Sequence, residues 1–409
     1  CGTHLPIWYN EKTGSRIVVE SIKELKKLSG IKKIEIHKPE IDKIEIKKNN
    51  LIYKRIPEVL DVWFDSGVSS WAALEFPKEK KNFKIWPADL NIEGRDQFRG
   101  WWNSQLILSE ITFGKKPFEN IVVHGMVLDI EKKKMSKSLG NAISPKDIIE
   151  KYGRDYLRYY FAKLSKGEDF NFNEKEFAEI QKVFRLISNL NNFVSQLEPK
   201  KTFHLKIEDE WILSRYNNLI KEIEENYNKF KFYESIKVLE NFLFDLSRKY
   251  IQIIREREDE VFKILNEIIA GLLKLLAPII PITTEKIWQE LRDKKRVKEE
   301  SIHLTYWPKF NKKLINKKLE EEIKLVFEII EKGLAERDEE KIGLRRPLFK
   351  ATIKTNNKIN KELLYLIKTQ LNVKHVEMII NKKEKNISVE LDTKITPELE
   401  AEGYAREIS

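Results

Sequence analysis

Ile121-Val-Val-His-Gly-Met-Val-Leu-Asp-Ile-Glu-Lys-Lys-Lys-Met-Ser-Lys-Ser-Leu-Gly-Asn141 runs from an apolar segment into a short basic loop. Residues Ile121–Leu128 read as a buried strand. Lys132–Asn141 then carries four lysines, two serines and no acidic residue. Beyond the loop, Ser144-Pro145-Lys146-Asp147 reads as a helix start: serine can cap, proline fits the first turn, and aspartate suits the positive helix end. A basic loop between a buried strand and a helix is where α/β enzymes hold phosphates. For the five residues Lys134–Ser138 alone, a solvated Lys/Ser turn is the competing reading.

Upstream, Trp86-Pro-Ala-Asp-Leu-Asn-Ile-Glu93 reads as a second strand. It delivers Glu93-Gly94-Arg95-Asp96-Gln97 to a helix from about Gln97 to Phe113, on which Phe98, Trp101, Trp102, Gln105, Leu108 and Ile111 follow helical spacing. Carboxylates and an amide at a strand–helix junction can bind ribose hydroxyls or an amine; the plain alternative is that Asp96 only caps its helix. Earlier still, Asp61-Val-Trp-Phe-Asp-Ser-Gly67 reads as a strand end entering a tight turn, where backbone and an aromatic face can approach a ligand. A core tryptophan beside an ordinary turn is the alternative there. Within residues 1–60, Arg16–Glu20, Ile31–Ile36 and Ile41–Ile46 are strand-like, and Ser21–Ser29 is a capped helix ended by Gly30. Helices are expected over 145–152 and 154–164, so the first 165 residues read as β-rich and then βαβα.

Downstream the period changes to three and four. Glu174–Leu197, Asp209–Phe230, Phe232–Arg257, Asp259–Leu276 and Thr283–Arg292 read as helices of an up-and-down bundle. His303–Pro308 reads as extended, and Leu314–Glu336 as a further helix. The tail reverts to mixed α/β, with strands at Leu348–Ile353, Val376–Ile380 and Ile387–Leu391 and a helix at Lys361–Leu371. A chain of 409 residues exceeds one ordinary core, and its 41% hydrophobic content supports globular folding. The one cysteine, Cys1, excludes an internal disulfide framework and a multi-cysteine zinc site, and the six histidines form no ligand-spaced pair. No structural metal is expected. A net charge of +11 permits a polyanionic partner. The longest apolar run, Ile268–Ile282, is broken by Gly271, Lys274 and two prolines, so no membrane span is expected. The ends, Cys-Gly-Thr-His-Leu-Pro-Ile-Trp and Gly-Tyr-Ala-Arg-Glu-Ile-Ser, lead us to expect a piece of a longer protein.

In this order the pieces resemble the class I aminoacyl-tRNA synthetases, and among them the isoleucyl-tRNA synthetase family. Lys134–Asn141, KMSKSLGN, is similar to the second class signature, and His124-Gly125 matches the His-Gly before it. Asp61–Gly67 is similar to the isoleucine branch, where the valine branch tends to have serine for the second aspartate. Glu93-Gly-Arg-Asp-Gln-Phe-Arg-Gly-Trp101 looks like Glu-Gly-x-Asp-Gln-x-Arg-Gly-Trp, from which the valine branch diverges. Lys341–Pro347 and Thr396–Gly403 resemble further pieces. Cys1–Trp8 resembles a Trp-Gly-x-Pro-x-Pro-x-Trp segment altered at Cys1 and His4. The first class signature and an editing domain are not readable in the 409 residues.

The resemblance implies an α/β fold, the second half of a Rossmann-type catalytic domain, over residues 1–165. An all-α helical-bundle anticodon-binding domain over 166–340 and a small truncated α/β tail over 341–409 follow. It implies activation of isoleucine with ATP and transfer to the 3′ end of tRNA(Ile), with Mg2+ accompanying ATP. The chain by itself is expected to be inactive. Lys134 and Lys137 would act on the phosphates with Ser136. Glu93, Gly94, Asp96, Gln97, His124, Gly125 and Met126 would hold ATP or the adenylate. Trp63 and Trp101 would wall the amino-acid pocket. A cytoplasmic monomer with no membrane association is expected. The rivals are the valine sibling, a non-synthetase nucleotidyltransferase with a similar loop, and a catalytically inactive RNA-binding protein.

Overall fold

The computed structural model describes residues 2–136, 138–200, 204–255, 257–381 and 386–408. The chain forms two compact units: residues 2–126 with Gly167–Asp169, and residues 127–166 with 170 onward.

The first unit opens with a small antiparallel sheet in the order β2-β1-β4-β3. Its strands are β1 (Ile7–Tyr9), β2 (Arg16–Val18), β3 (Glu45–Lys48) and β4 (Leu51–Arg55), with helix α1 (Ile22–Ser29) between β2 and β3. Trp8, Leu25, Ile41 and Ile46 bury one face, and the Trp8 indole N–H donates to the Ile44 carbonyl at 2.8 Å. The strand expected over Ile31–Ile36 does not form. The chain leaves α1 through Gly30 at φ +75°, and Ile31 and Ile36 are each 39% exposed, so that run lacks the buried face that holds a register.

The second departure lies at Asp61–Gly67, which is not a strand end in a turn but the start of helix α2 (Val62–Ala72). The Asp61 carboxylate caps it, accepting the Trp63 N–H at 2.7 Å. The helix continues through Gly67 because that glycine meets the next helix closely: a Cβ there would lie 2.7 Å from Leu108 Cδ1 and 3.0 Å from Ser104 Cβ. Strand β5 (Ala88–Gly94), a 3-10 turn over Arg95–Arg99, helix α3 (Trp101–Phe113) and strand β6 (Phe118–His124) then make a parallel βαβ unit. Rings of Trp71, Phe83, Trp86 and Phe113 pack between α2 and this unit, with centroids 4.7 to 6.1 Å apart. The single strand expected over Ile121–Leu128 is divided between two, because β6 stops before Gly125 and strand β7 (Val127–Leu128) begins after Met126.

In the second unit β7 pairs in parallel with β8 (Phe170–Asn171), and helices α4 (Pro145–Tyr152) and α5 (Arg154–Leu164) lie between them in sequence. The boundary expected at residue 165 runs through this unit. Tyr159 and Tyr160 of α5 are wholly buried in the same core as the helices that follow. Those helices are α6 (Glu176–Gln196), α7 (Ile207–Asn228), α8 (Phe232–Phe244), α9 (Ile251–Ile253), α10 (Phe262–Leu276), α11 (Pro281–Asp293) and α12 (Lys317–Glu339). The one helix expected over Phe232–Arg257 is broken by a π-helical stretch, Asp245–Tyr250. Both its ends carry long-range bonds: Asp245 takes Arg215 at 3.1 Å, and Tyr250 donates to buried Asp209 at 2.7 Å.

Two residues of α5 brace the turn from α10 to α11. Asp155 accepts the Thr283 N–H at the start of α11, and Arg158 donates to the carbonyls of Pro278 and Ile279 at 2.9 and 2.8 Å. Arg257 crosslinks Glu208 and Asp209 at the start of α7, and the Tyr365 hydroxyl reaches Glu208 from the tail. The tail is a sheet in the order β10-β9-β11, from β9 (Leu348–Thr355), β10 (Val373–Ile380) and β11 (Ser388–Leu391), with helices α13 (Leu364–Gln370) and α14 (Pro397–Ile408). Buried Arg337 of α12 holds it with a guanidinium bonded only to carbonyls, those of Leu371, Asn372, Gly343 and Arg346. Among the described residues no helix is long and apolar enough to cross a membrane.

Candidate active site

Parallel pairing places the carboxyl ends of β5 and β6 side by side, with Glu93 opposite Val123 and Gly94 opposite His124. Such ends are where open α/β sheets receive ligands. Gly94 is buried, and a Cβ on it would lie 2.7 Å from Asp96 Oδ1, 3.5 Å from His124 Cε1 and 3.7 Å from Met126 Sδ. Three of the expected residues, Asp96, His124 and Met126, therefore gather around a fourth, Gly94, in the room its missing side chain leaves. Glu93 is half-buried beside them.

Gly125 is needed for a different reason. The segment 167–169 crosses over it, and a Cβ would sit 1.8 Å from the Glu168 carbonyl oxygen and 2.5 Å from the Asp169 nitrogen. That crossing brings in Asp169, which the sequence reading did not single out. Its carboxylate accepts the Met126 N–H at 2.8 Å and the Arg95 guanidinium at 2.8 Å, tying the end of β6 to the turn after β5. Asp169 lies 43 residues from Met126, in a segment with no motif, so no local signal marks it.

The aromatic side is built on Gln97. Its Oε1 accepts the Trp101 N–H at 2.9 Å at the start of α3, and its Nε2 donates to Asp96 at 3.1 Å. The capping role thus belongs to Gln97, and no cap bond runs from Asp96 to α3. Trp63 and Gly100 touch: a Cβ on Gly100 would lie 3.1 Å from Trp63 Cη2. Trp63 is 48% exposed, whereas Trp101 is docked, its indole N–H donating to the Ser66 carbonyl at 2.8 Å. Trp63 of α2, Gln97 and Gly100 of the turn before α3, and Trp101 at its start form one aromatic-lined group.

The basic loop belongs to the second unit. Lys134 is exposed and bridges Leu128 through its backbone, while Met135 packs on the large core. Lys137 lies outside the described residues. Asn141 closes the loop: its amide donates to Asp129 at 2.7 Å, and its Oδ1 accepts the Ser136 N–H at 2.9 Å. Asp129 also accepts the Glu131 and Lys133 amides at 2.9 and 2.8 Å. The Asn141 bond, with these amides, holds the Asp129 carboxyl below its usual range. Ser136 Oγ faces Ser138 Oγ at 3.2 Å and accepts the Leu139 N–H at 3.2 Å. Ser144 occupies the N-cap of α4 but makes no side-chain cap bond; Pro145 stands first in the helix as expected. Asp129 and Asn141 were not among the expected functional residues, although Asn141 ends the quoted motif. Among the described residues, no three His, Cys, Asp or Glu side chains gather as a metal site.

Comparison with known proteins matches residues 1–173 to the family described as tRNA synthetases class I (I, L, M and V). Residues 209–354 match the anticodon-binding domain of tRNA ligase. Isoleucine--tRNA ligase of Methanothrix thermoacetophila is 35% identical over 431 residues, covering 98% of this chain and 41% of the relative. The same-named protein of Pyrococcus furiosus is 35% identical over 98% of this chain and 42% of its own length. That of Methanothermobacter marburgensis is 38% identical over 85% of this chain and 36% of its own. The chain thus spans about two fifths of the length of these curated relatives. Among solved structures, the leucyl enzyme of Agrobacterium radiobacter K84, in a ternary complex with tRNA and LeuAMS, superposes with a TM-score of 0.59. It covers 77% of this chain and 41% of its own at 21% identity, a likeness of fold. By its motifs, its two domain matches and its relatives, the chain carries a segment of the class I tRNA synthetase family over residues 1–173, followed by the anticodon-binding domain of tRNA ligase over 209–354.

Proposed function

We propose that this chain serves an isoleucine–tRNA ligase. In the first step the isoleucine carboxylate attacks the α-phosphate of ATP and pyrophosphate leaves. In the second, a terminal hydroxyl of tRNA(Ile) attacks the adenylate carbonyl and AMP leaves. No covalent enzyme nucleophile is required, so positioning and charge carry the rate. In this reading Glu93 and Gly94 hold the adenylate, and Asp96 and Gln97 its ribose or the amino group. His124, Gly125 and Met126 lie along adenine. Because the Met126 N–H is already given to Asp169, Met126 contributes its side chain and carbonyl. Trp63, open on one side, and docked Trp101 wall the isoleucine pocket. Lys134 and Lys137 neutralise the phosphates as pyrophosphate departs, Ser136 donates a hydrogen bond to them, and Mg2+ accompanying ATP would supply further positive charge there. We assign the residues up to 165 to the catalytic part, those to 340 to anticodon binding, and the rest to a small α/β region of a cytoplasmic, monomeric protein.

The observation that carries the proposal is the parallel register that sets Glu93-Gly94 beside Val123-His124, next to Gly125. It is tested by ATP–pyrophosphate exchange in the complete protein that contains this chain. Isoleucine should drive exchange, and Lys137→Ala should slow it by roughly 100-fold or more with isoleucine affinity little changed. Exchange driven better by valine assigns the protein to the sibling branch. Exchange driven by neither leaves an RNA-binding role.

A further inference from the structure

Two sizeable clefts open on the helical unit, and their charges differ. The larger, about 660 Å³, carries Arg215, Lys249, Lys317 and Lys324 but also Asp245, Glu320 and Glu321. Arg215 pairs with Asp245 and Glu320, and Lys249 with Asp245, while Lys317 and Lys324 share the cleft with Glu321. The smaller, about 350 Å³, lies over the α10–α11 turn and is lined by Arg158, Lys274, His303, Tyr306 and Trp307 among others. None of its described lining residues is acidic.

Arg158 and Lys274 of this smaller cleft are held without neutralisation. Arg158 spends two donors on the carbonyls of Ile279 and Pro278, which fix its guanidinium but cancel no charge. Lys274 stands 5.5 Å from the centroid of the Trp288 ring, which likewise leaves its charge in place. Nearby Glu285 accepts Gln289 Nε2 at 2.6 Å, Ser301 Oγ at 2.9 Å and the Ile302 N–H at 3.0 Å, and its Oε2 also lies 4.0 Å from His303 Nε2, so the carboxylate serves His303 and the turn that carries it. Beside these cations Tyr306 is 91% exposed, with Leu304 at 69% and Ile282 at 57%. A bare aromatic ring of that exposure carries no packing. The neighbouring Trp307 packs on Tyr227 at 5.6 Å between centroids, yet its indole N–H is buried without a partner.

We propose that this cleft is a binding site for a single unpaired nucleotide of an RNA strand. The base stacks on Tyr306, and a neighbouring phosphate meets Lys274 and Arg158. A stacking face next to unneutralised cations is the chemistry that holds single-stranded RNA. The volume lies at the lower end of small-ligand pockets, roughly 300–1,000 Å³, which suits one nucleotide and not a duplex. The larger cleft sets its cations among the carboxylates of Asp245, Glu320 and Glu321, which repel a phosphate. The inference rests on the reading of this chain as a tRNA-binding protein and locates one contact within it.

The test uses the chain as it stands and an unmodified tRNA transcript with an isoleucine anticodon, titrated at several salt concentrations. Tyr306→Ala should weaken binding roughly 5-fold or more, and Tyr306→Phe should restore it. Lys274→Gln should lower the slope of log affinity against log salt by about one. A transcript substituted with 4-thiouridine should crosslink to the segment 302–307. Unchanged thermal melts establish that the variants fold. A Tyr306→Ala chain that binds within about twofold of the parent, or crosslinks confined to other segments, overturns the cleft while the tRNA reading stands. Failure of the parent chain to bind the transcript at any salt overturns both.

Discussion

Gly125→Ala probes the crossing that assembles the nucleotide end of the first unit. The added methyl would lie 1.8 Å from the Glu168 carbonyl oxygen, and ordinary contact begins at 3.4 Å, so segment 167–169 must retreat by roughly 1.5 Å. Backbone, not a flexible side-chain tip, blocks the way. Retreat carries Asp169 out of hydrogen-bond range of Met126 and Arg95, now 2.8 Å each. The bond from the Met126 amide to a carboxylate is worth about 1.5–3 kcal/mol. The Arg95 pair adds only about 0–1 kcal/mol, since that side chain is 64% exposed. The expected loss is about 2–4 kcal/mol for the first unit. Denaturant unfolding followed by tryptophan fluorescence reads the loss, and hydrogen exchange at the Met126 amide locates it, as lost protection of at least about tenfold. Asp169→Asn should cost less by itself, and combined with Gly125→Ala it should add little, because both act through one contact. An unchanged midpoint and unchanged exchange at Met126 in Gly125→Ala would refute the reasoning. Full additivity of the two substitutions would show that Asp169 acts elsewhere.

Two further expectations concern the second unit. Arg337→Met leaves the buried Leu371 carbonyl and three partly buried carbonyls without their shared donor and should cost about 2–4 kcal/mol; limited proteolysis should then cut within 341–381 faster than in α12, and an unaltered digestion pattern counts against it. Asn141→Ala removes the main support of the Asp129 carboxylate. Since that carboxyl is held below its ordinary range, its contribution is present above its unfolded pKa and fades as pH falls through the folded value. The variant should raise the Asp129 pKa toward normal, as an NMR titration reads directly, and should flatten the acid dependence of loop protection. An unmoved Asp129 titration would remove Asn141 from that role.

Local pattern carried the reading furthest where the contact partners lie within a few turns of one another. Helical period located α6, α7, α10, α11 and α12 to within a few residues, because each buries one stripe in a common core. It missed the π stretch at Asp245–Tyr250, whose bonds run to Arg215 and Asp209 on another helix. At Asp61–Gly67 the turn-forming composition was outweighed by an aspartate cap and by a glycine pressed against Ser104 and Leu108.

By itself the sequence determined the order of the motifs, the strands and helices around them, and through these the family, since each is written in consecutive residues. The grouping of Glu93, Gly94, Asp96 and Gln97 at a strand end was legible for the same reason. Only the tertiary structure decided that Asp169 ties β6 to Arg95, that Gln97 and not Asp96 caps α3, and that Asn141 and Asp129 close the basic loop. It alone placed Arg158, Lys274 and Tyr306 around one cleft. These contacts join residues up to well over a hundred positions apart, and hydrogen-bond geometry and close packing at such separations leave no periodic trace along a chain.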